Sequence, residues 1–258
     1  EWYSVTQPFP TRPAAFDRQG FGVDDLIDFT PELRARALEA IEGFRLSPSL
    51  FSPPSLTDAA DGTRGLLSLP SSTGGANWEG SAMDPETGII YVPSRTQLQS
   101  LSLAKNEASD IDLSINGSVR VPRIEGLEIV KPPYGRVTAI DMNSGDHLWW
   151  VANAETPDRI ANHALMQGVD LPDTGIPTRS GVLLTKTLLF VGEGIGTADA
   201  RPRMRVINKQ TGEVITVIEL PDNQTGLPFT YEHDGKQYLA MFVGGRSSPA
   251  QLVAYALP

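Results

Sequence analysis

Short apolar runs alternate with polar turns over most of the chain from Gly65 onward. Three segments share one order, which is Asp or Asn, two residues, Thr or Ser, then Gly, and each leads into an apolar run: residues 84–88, 141–145 and 208–212. The Asp or Asn side chain accepts backbone N–H bonds at the start of such a turn, and Gly supplies a positive φ. Asp234-Gly235 is a strong two-residue hairpin signal. The pattern predicts an all-β protein built from hairpins.

Repeated strand–turn–strand units of this kind are typical of the blades of a β-propeller. The units are spaced more widely than the roughly 40–50 residues of a plain blade. The excess falls in two polar inserts, residues 96–127 and 156–178. The first insert has room for a small hairpin, and the prolines of the second predict an ordered surface loop.

A different pattern precedes the strands. Residues 1–30 are rich in Pro, aromatic residues and Asp, which predicts an extended segment lying on another surface. Thr30-Pro31 predicts a helix start, with Thr30 as N-cap. Apolar residues recur at helical spacing from Leu33 to Phe44, with charged residues opposite them. We predict one amphipathic helix ending near residues 44–46, within an arm-plus-helix segment (1–64) that precedes the blades (65–258).

Composition excludes several classes of protein. The chain has 258 residues, 40% of them hydrophobic, which is enough for a core. Its net charge of −10 argues against a nucleic-acid partner, because Lys and Arg supply most of the affinity for phosphates. The absence of Cys excludes disulfides and thiolate metal sites. No run approaches the about 18 apolar residues of a membrane span, and a start at Glu1 fits a cleaved or truncated product.

The candidate functional stretch is the glycine-rich segment Gly74–Gly80, with the sequence Gly-Gly-Ala-Asn-Trp-Glu-Gly. Glycine lets a backbone take up unusual dihedrals and approach a ligand closely. Asn77 donates and accepts hydrogen bonds, and Trp78 presents a flat apolar face with one N–H donor. The pair suits a planar aromatic ligand with polar edges. The alternative is structural: Trp78 fills a gap between two sheets and Asn77 caps a turn.

This segment and the Asp-Pro-Glu-Thr-Gly-x-x-Tyr-Val-Pro-Ser run after it resemble the quinoprotein dehydrogenases that bind pyrroloquinoline quinone (PQQ), most closely the glucose dehydrogenase type. Other matching pieces follow the family's order from end to end: residues 6–10, 28–33, 51–55, 132–135, 230–232, 235–238, 243–245 and 254–258. Counting the predicted strands gives three fairly complete blades and part of a fourth. The resemblance implies a propeller of eight blades, of which this chain is the C-terminal half. We therefore expect it to pack against a complementary N-terminal half that covers its end blades.

The resemblance also implies the chemistry. In this family PQQ lies in the central funnel, Ca²⁺ or Mg²⁺ polarises its quinone carbonyl, and an Asp removes the proton of the substrate hydroxyl. Asn77 and Trp78 correspond to cofactor-binding positions. The family's Asp base, its PQQ-contacting Lys or Arg and its metal ligands precede the matched region, so we expect neither catalytic nor metal-binding residues in this chain. The implied substrate is a glucose-like sugar, a polyol or an alcohol, in the periplasm, with a quinone or cytochrome as electron acceptor.

Other candidate residues have structural explanations. Asp84 and Asp141 belong to the turn motif, where backbone N–H groups occupy them, and the three histidines are scattered without metal-ligand spacing. Trp149 or Trp150 corresponds to a residue that packs between blades in the resembling family. Glu193, in a glycine-rich strand-end turn, is a candidate for the rim of the funnel.

Two other functions remain possible on the sequence: a propeller scaffold that has lost the cofactor, and a sugar-binding propeller without redox chemistry. The intact Asn77-Trp78 pair in its glycine frame argues against a scaffold, since a scaffold does not need that pair. Sugar binding in the absence of PQQ would identify the third.

Overall fold

The structure is a computed structural model that describes residues 6, 8–48, 51–108, 110–115, 119–195, 197–245 and 248–256. The first part contains α1 (Pro31–Ala40) and the strands β1 (Arg45–Leu46), β2 (Ser55–Leu56) and β3 (Leu66–Ser68). The middle part contains β4 (Ala82–Asp84), β5 (Ile89–Arg95), β6 (Gln99–Lys105), β7 (Leu113–Ile115), β8 (Arg123–Ile124), β9 (Leu127–Glu128), β10 (Gly135–Asp141), β11 (Asp146–Ala152) and α2 (Asp158–Ala161). The last part contains β12 (Val182–Leu184), β13 (Leu188–Gly192), β14 (Arg203–Asn208), β15 (Val214–Glu219), β16 (Phe229–His233), β17 (Lys236–Val243) and β18 (Gln251–Ala256).

Three antiparallel sheets have the strand order of propeller blades. The order is β4-β5-β10-β11 in the first blade, β12-β13-β14-β15 in the second and β16-β17-β18 in the third. In each, the first strand in the chain lies at one edge of the sheet, and β4 contacts β12 as innermost strands of neighbouring blades do. The partial propeller predicted from the sequence is confirmed.

Two apolar layers hold these blades together. The layer between the first and second blades includes Tyr91, Val137, Val191 and Ile207. The layer between the second and third blades includes Met204 and Met241. Because successive strand residues point to opposite faces, the second blade buries one face against each neighbour. Its strands are therefore apolar on both faces.

The repeated turn motif forms the hairpins that the sequence predicts. In all three copies the glycine N–H donates to the carbonyl of the motif's first residue, at 2.9 Å for Gly88, 2.7 Å for Gly145 and 2.9 Å for Gly212. These glycines have φ values of 75°, 76° and 77°. Asp234-Gly235 joins β16 to β17.

Trp149 packs between the first and second blades, as the resemblance implied. Its ring lies 5.7 Å from that of Tyr91, and its Nε1 donates to the carbonyl of Lys209 at 3.2 Å. The Lys209 Nζ in turn contacts Asp84 Oδ2 at 2.6 Å. Trp150, by contrast, is 56% exposed.

The N-terminal region differs in part from its prediction. Thr30 caps α1 by accepting a bond from Leu33 N at 3.1 Å, as expected. The helix ends at Ala40 rather than near residues 44–46, because the chain turns there and Gly43 adopts a φ of 78°. Ile41 and Phe44 still pack on the core, which explains the apolar spacing beyond the end of the helix.

Described residues of the expected arm and of the first insert belong to a further apolar core, separate from the layers between the blades. Phe21, Leu26 and Ile27 are fully buried and share this core with α1 and with residues 124–134. A mixed sheet pairs β1 with β3 and β2 with β6 in parallel, and β6 and β7 form the hairpin for which the first insert had room. The division of the chain at residue 64 stays a prediction.

The second insert contains α2 and a 3-10 turn at Ala164–Met166. It buries Ile160, Met166 and Ile176, so it is ordered as predicted, and part of it is packed into the protein. No helix in the described ranges combines the length and apolarity needed to cross a bilayer.

Candidate functional site

The same end of each blade contributes two segments to one region of the surface. One segment leads into the first strand: residues 75–80 precede β4, residues 178–181 precede β12 and residues 223–227 precede β16. The other lies at the end of the second strand: Ser94 and Arg95, Ile195, and Gly244 with Gly245. The residues lining three adjacent cavities come largely from these segments. We call this region the inner cleft.

Backbone hydrogen bonds fix the two segments of each blade to one another. Arg95 N donates to the carbonyl of Gly75 at 2.8 Å, Arg179 N to that of Ile195 at 2.9 Å, and Gly244 N to that of Asn223 at 2.9 Å. The same backbone hydrogen bond therefore occurs at the equivalent position of each blade. It fixes the backbone from which the side chains of the inner cleft project.

Trp78 lies in the inner cleft with most of its surface free. Its side chain is 67% exposed, which is unusual for the largest apolar residue. It lines a cavity of about 50 Å³ with Arg179, Ile195, Gln224 and other residues of the second and third blades. The prediction that Trp78 fills a gap between sheets does not fit this exposure, and Trp149 has that position instead.

Asn77 is engaged within its own loop. Its Nδ2 donates to the carbonyl of Thr73 at 2.8 Å, and its Oδ1 accepts from Trp78 N at 2.8 Å. Both bonds fix the backbone from which the indole projects. The amide oxygen and nitrogen each retain capacity for one more hydrogen bond, so the prediction that Asn77 also contacts a cofactor stays a prediction.

Gly75 shows why the loop needs glycine. A Cβ at this position would lie 2.2 Å from Asp17 Oδ2. Asp17 is buried, accepts a bond from Thr96 Oγ1 at 3.1 Å, and lies 3.7 Å from Arg136 Nη2. Burial raises the pKa of Asp17, while these partners oppose the rise. The loop thus rests directly on a carboxylate from the N-terminal arm.

The largest part of the inner cleft adjoins the Trp78 cavity. It has a volume of about 680 Å³, and it shares Ile195 and Thr225 with the Trp78 cavity. A volume of this size lies within the range of small-molecule sites, roughly 300–1,000 Å³. Sequence reasoning did not find this cleft, because its lining comes from residues far apart in the chain.

Positive charge collects beside Trp78. The Nε of Arg179 lies 3.6 Å from Glu79 Oε1. Arg95 is 9% exposed, and its Nη2 contacts Thr73 Oγ1 at 2.5 Å. Burial lowers the pKa of Arg95, the charge of Arg179 lowers it further, and Glu79 opposes both. Within the described ranges, the charged residues that line the three cavities are therefore two arginines and one carboxylate, Glu79.

The two turn-motif aspartates lie at the opposite end of the first blade. Asp84 Oδ1 accepts from Glu86 N at 3.0 Å and Asp141 Oδ1 from Asn143 N at 2.8 Å, as predicted. A seven-residue strand, β5, separates this end from the inner cleft, a distance of about 20 Å. Neither carboxylate can act on a ligand beside Trp78.

Glu193 is not at an exposed rim, so that prediction is wrong. It is 2% exposed, accepts from Arg201 N at 3.3 Å, and lies 4.0 Å from Arg205 Nη2. Burial raises the pKa of Glu193. Its neighbour Ile195 does line the inner cleft, so the turn lies where expected although its charged residue faces the interior.

The histidines have structural surroundings. His163 Nδ1 accepts from Leu165 N at 3.2 Å, which orders the second insert as expected. His147 contacts the carbonyl of Ala14 at 2.9 Å, and His233 contacts Asp234 at 3.3 Å. Within the described ranges, His, Asp and Glu side chains form no group of three or more suited to a metal ion. The location of metal ligands outside this chain stays a prediction.

The fold and the site together define a class: a segment of a β-propeller whose inner loops form an aromatic, positively charged cleft. The family model described as "PQQ: Glucose/ethanol/alcohol dehydrogenase, beta-propeller domain" matches residues 1–239. The chain belongs to this family of PQQ-dependent dehydrogenases, which confirms the family predicted from the sequence.

Individual relatives differ in their named substrates. The glycerol dehydrogenase large subunit of Gluconobacter thailandicus is 28% identical over 81% of this chain and 31% of that protein. The quinate/shikimate dehydrogenase (quinone) of Acinetobacter baylyi is 28% identical over 100% of this chain and 33% of that protein. The quinoprotein glucose dehydrogenase of Gluconobacter oxydans is 27% identical, with 81% and 28% covered.

Among solved structures, the quinohemoprotein alcohol dehydrogenase from Comamonas testosteroni matches with a TM-score of 0.49 and 18% identity, over 74% of this chain and 27% of that chain. The chain spans about a third of the length of its curated relatives, since the matched shares of glycerol and quinate/shikimate dehydrogenase are 31% and 33%.

The inner cleft has groups that fit PQQ, a flat aromatic quinone with carboxylate substituents. Trp78 offers an aromatic face, and Arg95 and Arg179 offer positive charge. Ser94 Oγ and Gln224 Oε1 are buried there without a hydrogen-bond partner in the described ranges. Buried polar atoms of this kind are costly unless a ligand or water satisfies them. Sequence reasoning found Trp78 and Asn77 but missed Arg95, Arg179 and Gln224, which carry no motif.

Proposed function

We propose that this chain forms one wall of the cofactor site in a PQQ-dependent dehydrogenase that oxidises a sugar, polyol or alcohol. The observation that carries the proposal is the exposed indole of Trp78 at the inner ends of three blades, in a chain of the PQQ family. An apolar ring that is not buried by the protein itself is available to a planar ligand.

Each residue of the wall has a task in this proposal. Trp78 covers one face of the cofactor and keeps water from it, and Asn77 holds Trp78 through the two bonds of its amide. Because Gly75 has no side chain, the loop can lie against Asp17, and this contact fixes the position of the loop in the cleft. When bound, PQQ supplies the electron-accepting quinone. The proton acceptor and the metal ligands come from the remainder of the enzyme.

The substrate class is proposed from the relatives and from the cleft. The names of the relatives cover glycerol, quinate or shikimate, and glucose, all of them hydroxylated compounds. We propose a glucose-like sugar or a polyol, in the periplasm, with a quinone or cytochrome as electron acceptor. The active enzyme requires the propeller half that completes the ring.

The test is an equilibrium titration of PQQ, with Ca²⁺ present, into the complete protein that carries this chain. We expect Trp78→Ala to weaken PQQ binding about 10- to 100-fold, because an aromatic anchor at the centre of a site contributes about 1–3 kcal/mol. Trp78→Phe should retain part of the affinity. The quenching of protein fluorescence measures binding without any activity.

Trp150→Ala is the matched control. Trp150 is 56% exposed, close to the exposure of Trp78, but it lies on β11 at the outer edge of the first blade. It should leave PQQ affinity unchanged. Equal affinities in the wild type, Trp78→Ala and Asn77→Ala would reject this site. Sugar binding without PQQ would instead support a sugar-binding propeller.

A further inference from the structure

Arg179 occupies a central place in the inner cleft. It lines the cavity that contains Trp78 and also the neighbouring cavity that contains Asn77, Ser94 and Arg95. Its side chain is 30% exposed, so it is neither buried in the protein nor free in solvent. Arg179 therefore shares one cavity with Trp78 and Gln224 and the other with Ser94, whose side-chain oxygen has no hydrogen-bond partner in the described ranges.

The backbone of Arg179 is firmly held. Its N–H and carbonyl both bond to Ile195, at 2.9 Å and 3.3 Å. Gly194, with a φ of 65°, presses against the same carbonyl, and a Cβ there would lie 1.8 Å from it. Because this backbone is already fixed, binding does not have to order it, which favours a role in binding.

The charges of Arg179 are incompletely satisfied. Its contact with Glu79 is 3.6 Å, longer than a hydrogen bond, and Glu79 Oε1 has no hydrogen-bond partner in the described part of the chain. Arg95 lines the same cavity as Arg179, and the charge of Arg179 lowers the pKa of Arg95. One carboxylate cannot neutralise two guanidinium groups, so this corner of the cleft has an excess of positive charge.

We propose that Arg179 binds a carboxylate group of a ligand that is held in the inner cleft beside Trp78. The planar guanidinium pairs with carboxylates through two parallel N–H bonds. The inference rests on the proposed function and adds that the ligand carries a carboxylate, which Arg179 recognises. The carboxylate can belong to PQQ or to a hydroxy-acid substrate, and both sources share this chemistry.

A pair of ratios separates the two sources in the complete protein. The first ratio compares the affinity of PQQ with that of its neutral trimethyl ester, by equilibrium titration. The second compares the KM of quinate, an acid, with the KM of glycerol, which is neutral. In one of these two comparisons, Arg179→Gln should lower the preference for the charged compound (PQQ over its ester, or quinate over glycerol) about 10- to 100-fold. This is the loss expected when a charge-assisted hydrogen bond is removed.

A change in the PQQ ratio assigns the carboxylate to the cofactor, and a change in the quinate ratio assigns it to the substrate. Arg179→Lys should have a smaller effect, because Lys keeps the charge and loses the fork. Glu79→Gln should strengthen binding of the charged ligand severalfold by removing a competing anion. Arg123→Gln, which removes an arginine far from the inner cleft in sequence and outside its lining, is the control.

The inference is overturned if Arg179→Gln changes neither ratio while the variant keeps the wild-type melting temperature. Loss of binding of charged and neutral ligands alike would also overturn it, because that indicates a structural role. The proposed function has a separate test. It would be rejected if Trp78→Ala left PQQ affinity unchanged, whatever the effect of Arg179→Gln.

Discussion

Asp84 joins local turn geometry to the packing of two blades. One carboxylate oxygen accepts the backbone N–H of Glu86, and the other contacts the Lys209 ammonium of the second blade at 2.6 Å. The hydrogen bond from Lys209 is the largest cause that lowers the pKa of Asp84, to about 2. The turn motif thus provides a contact between blades as well as a hairpin.

The lowered pKa predicts how stability depends on pH. Asp84 has a lower pKa in the folded state than the about 3.9 of an unfolded Asp, so its contribution is complete above that value and is lost as pH falls toward 2. We expect Asp84→Asn to lower the melting temperature at pH 6 and to matter progressively less between pH 4 and pH 2, roughly the window set by the two pKa values.

Thermal denaturation across this pH range measures the effect. Asp146→Asn is the control, because Asp146 forms an exposed ion pair with Arg12, a type worth about 0–1 kcal/mol. An Asp84→Asn variant whose deficit stayed constant down to pH 2 would contradict the ion pair as the source of the stability.

At the scale of elements, the contact between Trp149 and the β14–β15 turn locks the first blade to the second. Gly212 lies under the indole, where a Cβ would be 2.8 Å from two ring atoms. Two separate reasons therefore require glycine at this position: its φ of 77° and the lack of space for a Cβ beneath the Trp149 ring. Gly235 has a similar φ of 71°, and a Cβ there would meet nothing within 4 Å.

These two glycines allow a matched prediction. Gly212→Ala and Gly235→Ala both incur the cost of a positive φ, about 1 kcal/mol. Gly212→Ala must also displace Trp149, so we expect an additional loss of about 2 kcal/mol from disturbed packing. Chemical denaturation of the complete protein gives both values. Equal losses in the two variants would show that Trp149 moves without cost.

At the scale of the whole molecule, the third blade has an apolar and uncovered face, on the side of the sheet that points away from the second blade. β18 bonds to β17 and has no further strand partner in the described part of the chain. Five neighbouring large side chains are between 40% and 58% exposed: Leu227, Phe229, Tyr231, Phe242 and Leu252. The opposite face of the blade packs against the second blade. An uncovered face of this kind indicates an interface.

We predict that the remainder of the propeller covers this face. The 258-residue chain by itself should therefore self-associate in sedimentation measurements, and Phe229→Lys combined with Leu252→Lys should reduce that association. The same pair should weaken assembly with the complementary half by at least tenfold, as expected for loss of buried apolar contacts. A compact, non-associating monomer of the isolated chain with a cooperative melt would contradict the prediction.

Local chemistry explains which elements could be predicted. Thr30 begins α1, and Gly88, Gly145 and Gly212 close the repeated turns, because each acts within a few residues of itself. The end of α1 was misplaced because Ile41 and Phe44 continue the apolar spacing after the helix has stopped, and they pack on the core from a turn. The spacing of apolar residues indicates which residues are buried, and by itself it does not show that they lie in a helix.

The sequence alone determined the repeated hairpins, the family and the glycine-framed Asn77-Trp78 pair, since these depend on neighbours in the chain. Tertiary structure decided which Trp is buried and which is exposed: Trp149 lies between blades and Trp78 in the inner cleft. It also brought Arg95 and Arg179 together from separate blades and placed Glu193 in the interior. Burial and charge proximity arise from contacts between distant segments, and the order of residues along one strand does not encode them.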